Sequence, residues 1–388
     1  MTKHFQTGLP STFKIALAHY YLVSVRGGER VFHTLSQTFP QADLFSVVCN
    51  PTSQPAWLAQ RTMTTSFLQK MPGSWRYFRQ LFMFYPLAVE QFDLSTYDLV
   101  ISSSAGFTHG LLTPPETCHI CYCHNTFRYA WNWYHDFMQS SGLGGRLLMA
   151  PLLNWVRTWD FAAAQRVDYF IANSAVTQQR IKKYYRRDSI IIHPPIETKH
   201  FTPCAESEIG DYYLTVSELV PYKRVDVIVD AFNQSGCKLI VVGDGPQRAL
   251  LQKMARPNIT FVGRASEQQL GEFYRRCRAL LFMAKEDFGM VPLEANAAGR
   301  PVLAYGAGGA LETVIDGKTG LFFPEQTVDS LMQVIERFEQ MHFDPQVIRA
   351  HAENFDTTVF QQKICAFVQE KLDEHRADFR LSRMVWES

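Results

Sequence analysis

Two glutamates, Glu286 and Glu294, bracket the seven residues Asp287-Phe288-Gly289-Met290-Val291-Pro292-Leu293. The apolar run Ala279–Ala284 ahead of them reads as a buried parallel strand. Pro292 suits a first helical turn, where its missing N–H costs nothing. Gly299 suits a helix C-terminus. The spacing therefore predicts a strand, a loop and a short helix. Free N–H groups near Gly289–Pro292 would form a natural phosphate site. A carboxylate on either side suits sugar and ribose hydroxyls. Together these are the chemistry of a nucleotide-sugar. The plain alternative is two surface glutamates near a helix start, where negative charge is favoured anyway.

Four further segments bear on that choice. Arg26-Gly27-Gly28-Glu29-Arg30 follows the first expected strand and opens a helix, and paired glycines let a ligand approach the backbone. Ser217-Glu218-Leu219-Val220-Pro221-Tyr222-Lys223-Arg224 sets two adjacent cations in a strand-to-helix loop, where they would neutralise a leaving diphosphate. Val241-Val242-Gly243-Asp244-Gly245-Pro246 is a strand running into a glycine turn. Tyr305-Gly306-Ala307-Gly308-Gly309-Ala310-Leu311-Glu312 is a second such turn. Taken singly each segment is an ordinary loop.

In this order the segments resemble the family 4 glycosyltransferases of the GT-B fold, over essentially the whole second half of the chain. The first half is similar more loosely, through Arg26-Gly27-Gly28-Glu29 and Cys123-His124-Asn125-Thr126-Phe127-Arg128-Tyr129. The stretches Tyr122–Tyr134 and Val220–Asp226 look most like the mannosyltransferase-type branch that includes O-antigen and exopolysaccharide enzymes. The resemblance implies a retaining, metal-independent hexosyltransferase with no cofactor. Its donor would be GDP-mannose and its acceptor a saccharide or lipid-linked saccharide. His124, Glu286 and Lys223 would be the catalytic residues. The donor would be held by Gly28, Lys223, Arg224, Arg264, Phe288, Gly289, Met290, Val291 and Glu294, with Glu294 on the ribose and Glu286 on the sugar. Gly27 and Arg128 would lie on the first-domain, acceptor side.

Two residues depart from the family pattern. Glu218 stands where many relatives carry arginine, so it is expected to turn away from a diphosphate or pair with Arg224. Asn125 replaces a small hydroxyl residue. Retaining glycosidases set two carboxylates about 5 Å apart across the scissile bond. With Glu294 at the ribose, no such pair forms here. Front-face substitution is therefore expected, the departing phosphate oxygen taking the acceptor proton. No Asp-x-Asp motif is present, which fits a metal-free site.

These residues need a frame. Strand-like runs alternate with helical ones, which predicts α/β architecture with parallel sheets. The expected strands are 13–19, 43–49, 98–102, 119–124, 168–172, 190–193, 212–217, 238–243, 259–263, 279–284 and 301–304. Two doubly wound, Rossmann-like domains facing across a cleft follow. Residues 1–196 form the acceptor-side domain, 197–366 the nucleotide-sugar domain, and 367–388 a C-terminal helix returning to the first. At 388 residues the chain is long enough for both cores. Net charge is +1, so no global field argues for nucleic acid.

The run Met1–Gln6 has no apolar leader character. The eight cysteines are scattered, as in a reducing cytoplasm. Cys118-His119-Ile120-Cys121-Tyr122-Cys123-His124 looks like metal ligands but reads as a strand whose alternate residues face opposite ways. Leu44–Val89 lacks Asp and Glu while holding Arg61, Lys70, Arg76, Arg79 and many aromatics. With Gly142–Arg157 it predicts peripheral attachment to the cytoplasmic membrane face, unless those aromatics are core. A UDP-sugar donor, an epimerase on the same fold and a non-catalytic nucleotide-sugar sensor are the competing readings.

Overall fold

The computed structural model describes residues 12–24, 26–52, 56–58, 61–140 and 142–387. The leader reading of Met1–Gln6 lies outside them. The chain divides into two compact units, one comprising residues up to His193 together with Phe360 onward, the other Pro194–Val359.

The first unit is built on β1 (Ile15–His19), β2 (Asp43–Ser46), β3 (Met63–Thr65), β4 (Leu99–Ser104), β5 (Cys118–Cys123), β6 (Tyr169–Ala172) and β7 (Ser189–Ile191). They pair in parallel in the order β3-β2-β1-β4-β5-β6-β7. The central strands β1, β4 and β5 are buried along their whole length, as strands covered on both faces must be. One face is closed by the helix Gly27–Thr38 and by the C-terminal helix Thr357–Glu387. Phe32 and Leu35 from the former pack with Phe360, Ile364, Phe367, Val368 and Leu372 from the latter. The return to the first unit thus starts at Phe360, earlier than the 367 read from sequence. Leu81, Tyr85, Val89, Phe107 and Val156 form a second cluster with Ala16 and Val100.

The second unit holds β8 (Tyr212–Val216), β9 (Lys238–Val242), β10 (Ile259–Gly263), β11 (Leu280–Phe282), β12 (Val302–Tyr305) and β13 (Gly320–Phe323). These are also all parallel, in the order β10-β9-β8-β11-β12-β13. Helices Val225–Ser235 and Val328–Glu339 pack against it, burying Ile228, Phe232, Leu331 and Ile335 beside Leu281 and Leu303.

The aromatic stretch within 44–89 divides between core and surface. Tyr85 is buried, and Trp75, Tyr77, Phe78 and Phe82 are half-buried against the second cluster. Phe67, Met83, Phe84 and Leu87 stay exposed.

Candidate active site

In each sheet the strand order reverses beside the first strand, and loops leaving the carboxyl ends on either side of that reversal open a crevice for ligands. In the second unit the reversal lies between β8 and β11. After β8 the chain makes a short 3₁₀ turn, Pro221–Lys223, and Arg224 adopts a left-handed φ of 52° before the helix Val225–Ser235 starts. After β11 it runs through Glu286. The two loops meet there: the Lys223 ammonium pairs with the Glu286 carboxylate. Their side chains are only 11% and 25% exposed. The ammonium also lies 5.0 Å over the Tyr222 ring. Arg224 turns to Asp226, with Nη2 3.2 Å from Oδ2. It pairs with that residue instead of Glu218.

Gly289 has a φ of 89° and starts the helix Met290–Ala297, with Pro292 in its first turn and Gly299 just past its end. This is the strand, loop and short helix read from sequence. A second loop braces it. The Gly309 N–H donates to the Glu286 carbonyl at 2.9 Å. A Cβ on Gly309 would fall 2.1 Å from the Phe288 carbonyl oxygen, so glycine is what lets the two backbones touch. Phe288 is buried, while Met290 and Val291 are half-buried. Glu294 is buried in the helix packing, and Tyr274 donates its hydroxyl to Oε2 at 2.8 Å. Nothing in the sequence pattern marked Tyr274. Arg264 is exposed immediately after β10.

In the first unit the reversal lies between β1 and β4. Gly27 and Gly28 open the helix Gly27–Thr38, and the Arg26 N–H donates to Glu29 Oε2 at 3.0 Å. Glu29 is buried, and that burial pushes its carboxyl up to about 7. His124 follows β5. Ser103 Oγ on β4 lies 2.8 Å from His124 Nε2 and 2.9 Å from His19 Nδ1 at the end of β1. Burial lowers His124 to about 4 and His19 well below its ordinary value. His19 and Ser103 were not singled out from sequence. Gly28 leans on this group, since a Cβ there would lie 2.8 Å from the Tyr20 hydroxyl. Asn125 is buried and accepts from Arg180 Nη1 at 3.0 Å, which ties it to the helix Ala175–Arg180. The Arg128 guanidinium lies 4.9 Å over the Trp133 ring.

The cysteine-histidine run forms β5, as its alternation predicts. Among the described residues one mixed trio converges elsewhere: Cys118, Asp168 and His375, whose ligand atoms lie within 4.8 Å of one another.

Residues 25–200 match the model for Glycosyltransferase Family 4, and residues 197–355 match that for Glycosyl transferases group 1. The chain belongs to the family 4 glycosyltransferases. An uncharacterized glycosyltransferase of Methanocaldococcus jannaschii is 34% identical over 133 residues, 32% of this chain and 38% of that one. A GDP-mannose-dependent alpha-(1-6)-phosphatidylinositol monomannoside mannosyltransferase of Mycobacterium tuberculosis is 33% identical over 170 residues, 37% of this chain and 44% of that one. The matched stretches thus span less than half the length of these relatives.

Sucrose-phosphate synthase from Thermosynechococcus elongatus superposes with a TM-score of 0.69 at 18% identity, covering 93% of this chain and all of that one. Anabaena HepE, solved in complex with UDP, gives 0.67 at 17% identity, with 92% and 100% covered. At such identities these structures show the shared GT-B fold. Among the described residues of this glycosyltransferase, no helix is long and apolar enough to cross a membrane.

Proposed function

We propose that this glycosyltransferase moves mannose from GDP-mannose to a lipid-linked saccharide with retention, giving an α-linkage, and that it does so without a metal. The observation that carries this reading is the Lys223–Glu286 pair at the β8/β11 reversal, beside the helix start at Gly289. In the loaded enzyme Lys223 turns to the diphosphate and Glu286 to the donor sugar. The N–H groups at Gly289 and Met290 complete the phosphate site. Glu294, aligned by Tyr274, takes the ribose hydroxyls, and Arg264 borders the base. Gly28 admits the phosphates to the first-unit backbone. His124 faces the sugar, with Gly27 and Arg128 on the acceptor side.

The bond between the anomeric carbon and the diphosphate oxygen breaks as the acceptor oxygen bonds to the same face of that carbon. The acceptor proton passes to the departing phosphate oxygen. Lys223 and the helix start stabilise the charge that builds on the leaving group. The choice of GDP-mannose is supported by the GDP-mannose dependence of the mycobacterial relative.

The acceptor reading is supported by exposed apolar side chains on the first unit. On the helix Leu143–Ala164, Leu147 is 78% and Leu148 67% exposed, and Leu87 is 61% exposed on the neighbouring Tyr85–Glu90 helix. Lys70, Arg76 and Arg79 are exposed near the latter, in a stretch without acidic residues. Such a surface suits peripheral contact with anionic lipid. Co-sedimentation with phosphatidylglycerol vesicles, lost in Leu147→Asp/Leu148→Asp, is the expected result. Equal binding by that variant would refute the assignment.

Thermal stabilisation across GDP, UDP, GDP-mannose, UDP-glucose and UDP-GlcNAc tests the donor, because a ligand that binds only the folded state raises the melting point. A shift confined to GDP and GDP-mannose is expected. A shift confined to the uridine nucleotides would replace the donor, and no shift at all would overturn the site.

A further inference from the structure

Ser103 holds two histidines with one hydroxyl. Its Oγ lies 2.9 Å from His19 Nδ1 and 2.8 Å from His124 Nε2, and a hydroxyl has a single hydrogen to donate. Burial keeps both imidazoles neutral, so each carries one N–H. Oγ could also accept from both rings at once, but that would leave the buried Ser103 hydrogen without an acceptor among the described residues. Two arrangements use it. In the first, His19 Nδ1–H donates to Ser103, Ser103 donates to His124 Nε2, and the His124 proton sits on Nδ1. In the second the chain of donors runs backwards and the His19 proton sits on Nε2.

The surroundings choose between them. His19 Nε2 is sealed from solvent and has no hydrogen-bond partner among the described residues. The second arrangement would strand an N–H there, and orphaned buried N–H groups are rarer in folded proteins than under-satisfied acceptors. His124 Nδ1 has no partner among the described residues either, yet it is not sealed. An N–H on that atom is met by water or by a ligand.

We propose that His19 and Ser103 act as positioning residues that lock His124 in its Nδ1–H form, so that it meets the sugar as a hydrogen-bond donor and never as a base. The role at the sugar rests on the function proposed above. The tautomer itself does not. His19 and Ser103 do not touch substrate in this scheme. They act through His124, which sits beside Gly28 on the loop side of the sheet.

Imidazole ¹⁵N shifts of the full-length protein report the tautomer directly and need no turnover. Protonation at Nδ1 of both His19 and His124 is expected, with His124 becoming a mixture of tautomers in Ser103→Ala. A wild-type His124 protonated at Nε2 would overturn the lock, whatever the enzyme's substrate. Kinetics then tests the role. Ser103→Ala should lower kcat about tenfold, the loss of one aligned hydrogen bond, with little change in donor KM. Ser103→Thr, which keeps the hydroxyl on a strand, should restore it. An Nδ1–H wild type whose Ser103→Ala variant keeps full kcat would refute the donor role while leaving the tautomer intact. A variant that loses kcat only in proportion to its fall in melting point would refute it as well.

Discussion

Gly309→Ala tests the brace beneath the donor loop. The added Cβ would lie 2.1 Å from the Phe288 carbonyl oxygen and 2.2 Å from its Cα, whereas ordinary contact starts near 3.4 Å. The two backbones must therefore part by about 1.3 Å, the difference between 3.4 and 2.1 Å. Phe288 is buried against the core that holds Phe282 and Leu293, so it yields little. The Gly309 N–H bond to the Glu286 carbonyl is stretched by the same movement.

Overpacking of this kind costs about 1–3 kcal/mol. That corresponds to roughly 2–4 °C of melting point per kcal/mol for a domain of this size. Function should fall further than stability. A displacement near 1 Å at a positioning residue costs on the order of 10²-fold in rate, and Glu286 rides on the displaced segment. Calorimetry and turnover on the same preparations separate the two effects. Gly144→Ala is the control, since nothing lies within 4 Å of its Cβ and it sits inside a helix. It should melt at the wild-type temperature or slightly above. A Gly309→Ala protein that melts with wild type and turns over at the wild-type rate would show that the loops do not press on each other.

Glu286→Gln removes the charge that now occupies Lys223. Calorimetric affinity for a nucleoside diphosphate should hold or rise while turnover falls roughly 10²-fold, and an affinity loss as large as that of Lys223→Ala would contradict the assigned roles. Burial raises Glu29 to about 7, so folding favours its neutral form. Its contribution to stability is full below its unfolded value of 4.5 and fades as pH rises through 7. Glu29→Gln keeps the bond to Arg26 and should gain melting temperature relative to wild type between pH 5 and about 8, whereas a constant difference across that range would refute the burial argument. His119 is fully buried and lowered to about 3. Its contribution to stability is present above 6.5 and lost as pH falls, at about 1.4 kcal/mol per pH unit. Urea unfolding should show a slope shallower by that amount in His119→Gln than in wild type, because His19 and His124 keep their own contributions in both.

What the sequence made legible is what its local chemistry encodes. Strands covered on both faces appear as apolar runs, so β1, β8 and β11 were readable within one or two residues. Two strands were not. β3 is a three-residue edge strand with no buried residue. β13 begins at Gly320, directly beside the Val302 carbonyl, and that glycine made the segment read as loop. Lys223 and Glu286 were legible because each follows an apolar strand. Their pairing was not, because it joins loops 63 residues apart. Gly308-Gly309 looked like another flexible turn, although its role is to let one backbone rest on another.

The His19–Ser103 contact left a fainter trace. Ser102-Ser103-Ser104 form half of β4, a strand with no exposed residue. Three hydroxyls in such a strand cannot be solvated, so each needs a partner within the fold. In every case the partner includes a histidine. Ser102 lies 2.9 Å from His119 Nε2, Ser103 bridges His19 and His124, and Ser104 lies 3.2 Å from His109 Nδ1. Successive side chains on a strand point to opposite faces. Ser103 therefore serves one side of the sheet, where Gly28 and His124 lie, and its neighbours serve the other, where His109 contacts the buried Asp160. A serine run in a central strand, read together with histidines on the strands beside it, is thus a recognisable signal. Its middle member is the one that reaches His19 and His124, beside Gly28.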